Sequence, residues 1–137
     1  MAEDNAWYSA VHGSTVCASP IKGGRMDTTQ LLKGVLDLAI LAVLAEEDGY
    51  GYDVVRRLRD AGWEEVGDAS VYGTLRRLYG AGHLTSYVVP SDEGPNRKYY
   101  GLNGSGRAHL ALSMDTWSTF SKTLDALLEQ ARTEDAA

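Results

Sequence analysis

Cysteine is almost missing from this chain of 137 residues: Cys17 stands alone, so no disulfide can close within one molecule and no thiolate set is there to bind zinc. Histidine is sparse too, and His12, His83 and His109 fall at none of the spacings that converge ligands on a metal. Proline occurs three times, which leaves no room for a proline-rich linker. The longest apolar run, Leu31 to Ala45, is interrupted by Lys33 and Asp37 and is too short to cross a bilayer, so it reads as a buried core helix. Nor does the chain contain a nucleophile elbow, a phosphate loop or carboxylates paired for acid–base work. These absences argue against an enzyme, a metal or cofactor site and a membrane role, and the lone thiol suits a reducing cytoplasm.

What is present fits one globular unit, with 44% hydrophobic and 23% charged residues. Residues 1–25 carry no sustained period and begin with Glu3 and Asp4 rather than a basic start and an apolar core, so they read as an N-terminal extension and not an export signal. The stretch "KGGRM" back-translates to a purine-rich run of the kind that precedes a bacterial start codon, which would make Met26 the natural start.

From Leu31 to Leu44 the apolar positions leave little polar surface, so this helix is expected to be covered on most sides. "EEDGYGYDVVRRLRDAGW" reads as a glycine-containing turn, then a helix from about Tyr52 with Val54, Val55 and Leu58 inward, stopping near Gly62. A third helix follows, with Asp68 as its N-cap and "GAG" at 80–82 as its end. "LTSYVVP" and "RKYYGL" then alternate as two strands around a turn, Ser91 to Asn96. Asn103 caps a long final helix whose Leu110, Met114, Trp117, Ser121, Leu124, Leu128 and Ala131 repeat in steps of four and three, a heptad stripe suited to a dimer seam.

Three helices followed by a hairpin is the winged-helix plan: mainly α, with a small β-hairpin, here over residues 26–103, and a dimerisation helix and tail over 104–137. In that plan "ASVYGTLRRLYGAG" is the helix that enters DNA. Arg76 and Arg77 can contact guanine or phosphate, Ser70 and Tyr72 offer hydroxyls, and Gly73 lets the backbone approach. Arg97 and Lys98 beside the hairpin turn would meet phosphates. The net charge of −6 does not forbid this. Residues 26–49 hold one base against five acids and residues 111–137 two against five, whereas Tyr50 to Leu110 hold eight bases and seven acids. Screening over about 10 Å at 0.1 M salt makes local placement decide.

At this point four ordered stretches resemble the PadR-like transcriptional regulators: "LLKGVLDLAILAVLAEEDGYGYDVVRRL", with its Tyr-Gly-Tyr turn; "SVYGTLRRLYGAGHL", with Tyr72 and the Arg77-Leu78 pair; the wing strand "RKYYGL"; and the "NGSGR" that opens the last helix. The resemblance implies a homodimeric, ligand-responsive repressor that binds a pseudo-palindromic double-stranded operator. Where the family commonly has Gly-Thr-Leu before the tyrosine, this chain has Ala69-Ser70-Val71, and Gly73 follows the tyrosine, so operator preference does not transfer. "DTWS" looks like the position at which drug-sensing members hold a flat aromatic compound on a tryptophan. By the same resemblance Leu38, Ala42, Leu110, Met114, Trp117 and Ser121 line that pocket. Ser121 stands where the drug-binding relative has a carboxylate, so a neutral planar aromatic or phenolic effector fits as well as a cation. The alternative is a winged-helix protein-interaction module without DNA binding.

Overall fold

The computed structural model describes residues 27–136. The extension over residues 1–25 and the Met26 start therefore lie outside the described residues. The elements are α1 (Thr29–Glu46), β1 (Gly49–Tyr50), α2 (Gly51–Asp60), α3 (Asp68–Gly80), β2 (Leu84–Val89), β3 (Arg97–Leu102) and α4 (Gly104–Ala136). Among the described residues no helix is long and apolar enough to cross a membrane.

The core forms where the apolar stripes of the first three helices meet. Leu36, Ile40, Leu41 and Leu44 of α1, Val54, Val55 and Leu58 of α2, and Val71, Leu75 and Leu78 of α3 are buried together, closed off by Val66, Leu84 and Tyr100. Among the described residues α1 is not covered on most sides. Leu31 is 72% exposed and Ala42 is also exposed, because α4 reaches only part of that face.

The turns follow from the helix ends. After α2, the Gly62 N–H bonds the Arg59 carbonyl and the Trp63 N–H bonds the Leu58 carbonyl; after α3, Gly82 bonds Tyr79 and His83 bonds Leu78 in the same way. This doubled bond closes a helix through a left-handed residue, and Gly62 and Gly82 have φ of 127° and 87°. The C-terminus of α1 is closed differently. Arg57 of α2 donates to the carbonyls of Val43, Glu47 and Asp48 at 3.0, 3.0 and 3.1 Å, and so satisfies acceptors that a helix end leaves open.

Two expectations need correction. Asp68 is the first residue of α3 and not its cap: Gly67 holds the extended cap conformation with no side-chain bond, while Asp68 pairs with Arg59 at 2.9 Å and places negative charge at the helix's positive end. The stretch expected as a plain turn before α2 contains β1, which pairs with β3, so the sheet has three strands in the order β1-β3-β2. Two residues carry no readable period, and β1 exists only because β3 offers an edge.

The hairpin register pairs Leu84 with Leu102 and Val89 with Arg97. Alternation then puts Leu84, Lys98, Tyr100 and Leu102 on the core side, and Tyr87, Arg97 and Tyr99 on the other.

The base of α4 is fastened to the end of α3. Asn103 caps α4 by accepting the Gly106 N–H at 2.8 Å, and its Nδ2 donates to the Gly82 carbonyl at 2.9 Å. Ser105 Oγ lies 2.9 Å from His83 Nδ1, and the His83 and His109 rings stack in parallel at 4.2 Å. Gly106 lies so close to the His83 carbonyl oxygen that a methyl there would collide with backbone. Gly73 of α3, by contrast, has nothing within 4 Å of where a methyl would sit. Gly106→Ala is therefore expected to destabilise the fold by about 1–3 kcal/mol. Gly73→Ala should stabilise it by up to about 1 kcal/mol, and urea unfolding of the two variants, with opposite signs, is the check.

Candidate nucleic-acid interface

Helix α3 buries Val71, Thr74, Leu75 and Leu78, and its opposite ridge is Ala69, Gly73, Arg76 and Gly80. Tyr72 and Tyr79 lie on the flank toward β3 and the start of α2, and Ser70 and Arg77 on the flank toward α1. The polar side chains are engaged very differently. Thr74 Oγ1 donates to the Ser70 carbonyl within its own helix at 2.8 Å. The Tyr72 ring lies directly on Gly51, so closely that any side chain at 51 would overlap it, yet Tyr72 remains 37% exposed. That contact is what the Tyr-Gly-Tyr turn provides: its glycine gives the tyrosine of α3 a flat seat.

In the sequence Arg76 and Arg77 read alike as DNA contacts, but the structure separates them. Arg77 forks onto Asp37 of α1, with Nη1 and Nη2 each 2.7 Å from a carboxylate oxygen, a paired geometry that fixes both groups. Its hydrogen bonds hold the Asp37 carboxyl below the usual carboxylate range against the opposing effect of burial, and Arg77 is raised in turn. Arg76 is exposed and makes no ion pair among the described residues.

Arg97 and Lys98 also part company. Lys98 Nζ lies 5.4 Å from the centre of the Tyr79 ring and 5.6 Å from that of Tyr100, beside α3. Arg97 lies 4.6 Å over Tyr50 on the other side of the sheet, at the end of a tier in which Tyr99 contacts both Tyr50 and Tyr87. Tyr87 donates to Asp48 at 2.6 Å, and that bond raises the phenol's pKa. The two cations were expected to act together, but adjacent strand residues point to opposite faces, a rule readable in "RKYY" itself.

The residues expected around a ligand lie elsewhere. Leu38, Leu110, Trp117 and Ser121 are half-buried, while Ala42 and Met114 are exposed. The Trp117 ring packs on Phe120 with centroids 6.1 Å apart. An open groove of about 430 Å³ beside α3 is lined by Lys33, Asp37, Ser70, Gly73 and Arg77 among others, and by none of those six. Asp37 and Gly51 are the positions that sequence reasoning missed. Asp37 had a visible signal, a lone acid inside an apolar helix.

A helix pair closed by a glycine turn, with the second helix presenting an open ridge beside a β-hairpin, is a winged-helix DNA-binding module. The chain matches the model of the transcriptional regulator PadR-like family over residues 40–112. It belongs to that family and is a DNA-binding transcriptional regulator rather than an enzyme. It is similar to the crystal structure of a PadR-like transcriptional regulator from Bacillus cereus, with 33% identity, 73% of this chain and 97% of that one covered, and a TM-score of 0.65. A PadR family regulator from Eggerthella lenta aligns over 90% of this chain and 97% of its own, at 27% identity and a TM-score of 0.67. An uncharacterized protein of Lysinibacillus sphaericus is 26% identical over 106 residues, 76% of this chain and 97% of that protein.

The fork sets an acid-stability expectation. Because Asp37 is lowered in the folded state, its contribution is present above the unfolded pKa of about 3.9 and is lost as pH falls through the folded value. Asp37→Asn should flatten that acid limb. A double-mutant cycle with Arg77→Ala should give a coupling of about 0.5–1 kcal/mol at pH 7, small because both groups are partly exposed. A coupling of zero would show the pair to be incidental.

Proposed function

We propose that this regulator is a repressor acting as a homodimer on a pseudo-palindromic operator, with α3 of each copy in the major groove, and that a planar aromatic or phenolic compound releases it. The observation that carries this reading is the pairing of two open surfaces on one chain. One is the α3 ridge with Arg76, beside Lys98. The other is the α4 stripe, where Met114, Leu124 and Leu128 are 54%, 43% and 47% exposed. A two-fold dimer that covered the second surface would present the first twice, with half-sites about one helical turn, roughly 34 Å, apart. Ser70 and Tyr72 would contact phosphate from either flank of α3, and Gly73 would let its backbone approach. Arg77, held by Asp37, acts in this reading as a strut between α1 and α3 rather than as a DNA contact.

The test is binding to the promoter of the protein's own gene across a salt series. Lys98→Ala should make the dependence of log K on log salt shallower by about one unit, while Arg97→Ala should leave it unchanged. Equal slopes for both variants and the wild type would remove the wing from the interface.

The effector part is tested at Trp117, next to Leu110, Met114 and Ser121 on α4 and facing Leu38 and Ala42 of α1 in the proposed pocket. Planar aromatics should quench tryptophan emission and weaken operator binding, with stacking worth about 0.5–1.5 kcal/mol. Since Trp7 and Trp63 also emit, Trp117→Ala is the comparison: equal quenching and equal release from DNA in a variant that is still dimeric would rule out the tryptophan site.

A further inference from the structure

We infer that Arg76 alone reads bases in each half-site, that it reads a guanine, and that the rest of α3 contributes position and shape. The inference rests on the DNA-binding reading of α3 and deepens it.

It follows from taking the helix's polar side chains one at a time. Asp68 pairs with Arg59 at the start of the helix, and Thr74 is buried and bonded within its own helix. Arg77 is forked on Asp37, on the flank that faces α1. Tyr72 is seated on Gly51, and Tyr79 lies against Tyr100 with Lys98 above it, both on the opposite flank. Ser70 has a short reach and lines the groove toward α1. On the ridge itself Ala69, Gly73 and Gly80 carry at most a methyl, so Arg76 is the one long side chain there, exposed and without an ion pair among the described residues.

The glycine at 73 has no role in the fold. Nothing lies within 4 Å of where its methyl would be and its φ is not positive, although glycine inside a helix is unfavourable. A smooth entering end, Ala69 followed by Gly73, lets α3 sink toward the floor of the major groove. Arg76 can then span the remaining distance to a base edge. Arginine's planar fork matches the two acceptors, O6 and N7, that only guanine presents there.

The experiment is selection from a pool of randomised duplexes by the full-length wild type and by Arg76→Ala, with thermal midpoints compared to confirm that both are folded. The wild-type pool is expected to show one dominant guanine per half-site, and the Arg76→Ala pool to retain duplex but lose that guanine. Replacing the guanine with 7-deazaguanine, which lacks the N7 acceptor, should cost the wild type on the order of tenfold in affinity and cost Arg76→Ala nothing. A variant pool that keeps the wild-type guanine, or a wild-type pool dominated by another base, overturns the inference while leaving DNA binding intact. A wild type that retains no duplex at low salt overturns the DNA-binding reading itself and this inference with it.

Discussion

The geometry of this molecule depends on the joint between the end of α3 and the start of α4. Gly82 turns the chain into the left-handed conformation, His83 closes the last turn of α3 through its N–H, and Asn103 and Gly106 pack onto the carbonyls of Gly82 and His83. The His83–His109 stack and the Ser105 contact extend the joint for a further turn along α4. Backbone meeting backbone leaves little freedom to slide, because the glycine that allows the approach also removes any side chain that could adjust. The orientation of the long helix is therefore fixed relative to the helix that presents Arg76.

A second tie runs through α1. The Asp37–Arg77 fork joins the middle of α1 to the last turn of α3. Leu38 is the next residue along α1. The faces of α1 and α4 that the described residues leave open are thus connected to α3 by a charged pair and by a backbone joint. In the proposed dimer, a tilt of either face would move the reading helix as a unit. Coupling of that kind needs a rigid element with two placements and no continuous path of side chains.

Much of this was legible in the sequence because it rests on local rules. Helical periods placed α1, α2 and α3, glycines at 62 and 82 marked the turns, the "YVV" and "KYY" runs gave the hairpin, and Asn103 gave the start of α4. What was not legible depended on partners distant in sequence. β1 is a strand only because β3 lies beside it, and Arg77 differs from Arg76 only because Asp37 stands 40 residues away. Gly51 reads as an ordinary turn glycine until the Tyr72 ring is found on it. The separation of Arg97 from Lys98 is another matter: strand alternation alone predicts it once the register is considered.

How an acidic chain presents a basic surface is answered by which arginines its acids hold. Of the eight bases between Tyr50 and Leu110, Arg56 and Arg57 pair with Asp53, Arg59 with Asp68, and Arg77 with Asp37. Each of these bonds fastens one element to itself or to a neighbour, and three acids in this way hold four arginines. Among the described residues Arg76, Arg97, Lys98 and Arg107 are left without ion pairs, and of these Arg76 lies on the ridge of α3 and Lys98 beside it. Exposed charges are screened beyond about 10 Å at 0.1 M salt, so the total of −6 does not by itself decide the local balance at α3. Asp37, Asp53 and Asp68 therefore act as fold-holding partners of structural arginines, and Arg76 is the free arginine that lies on the ridge of α3.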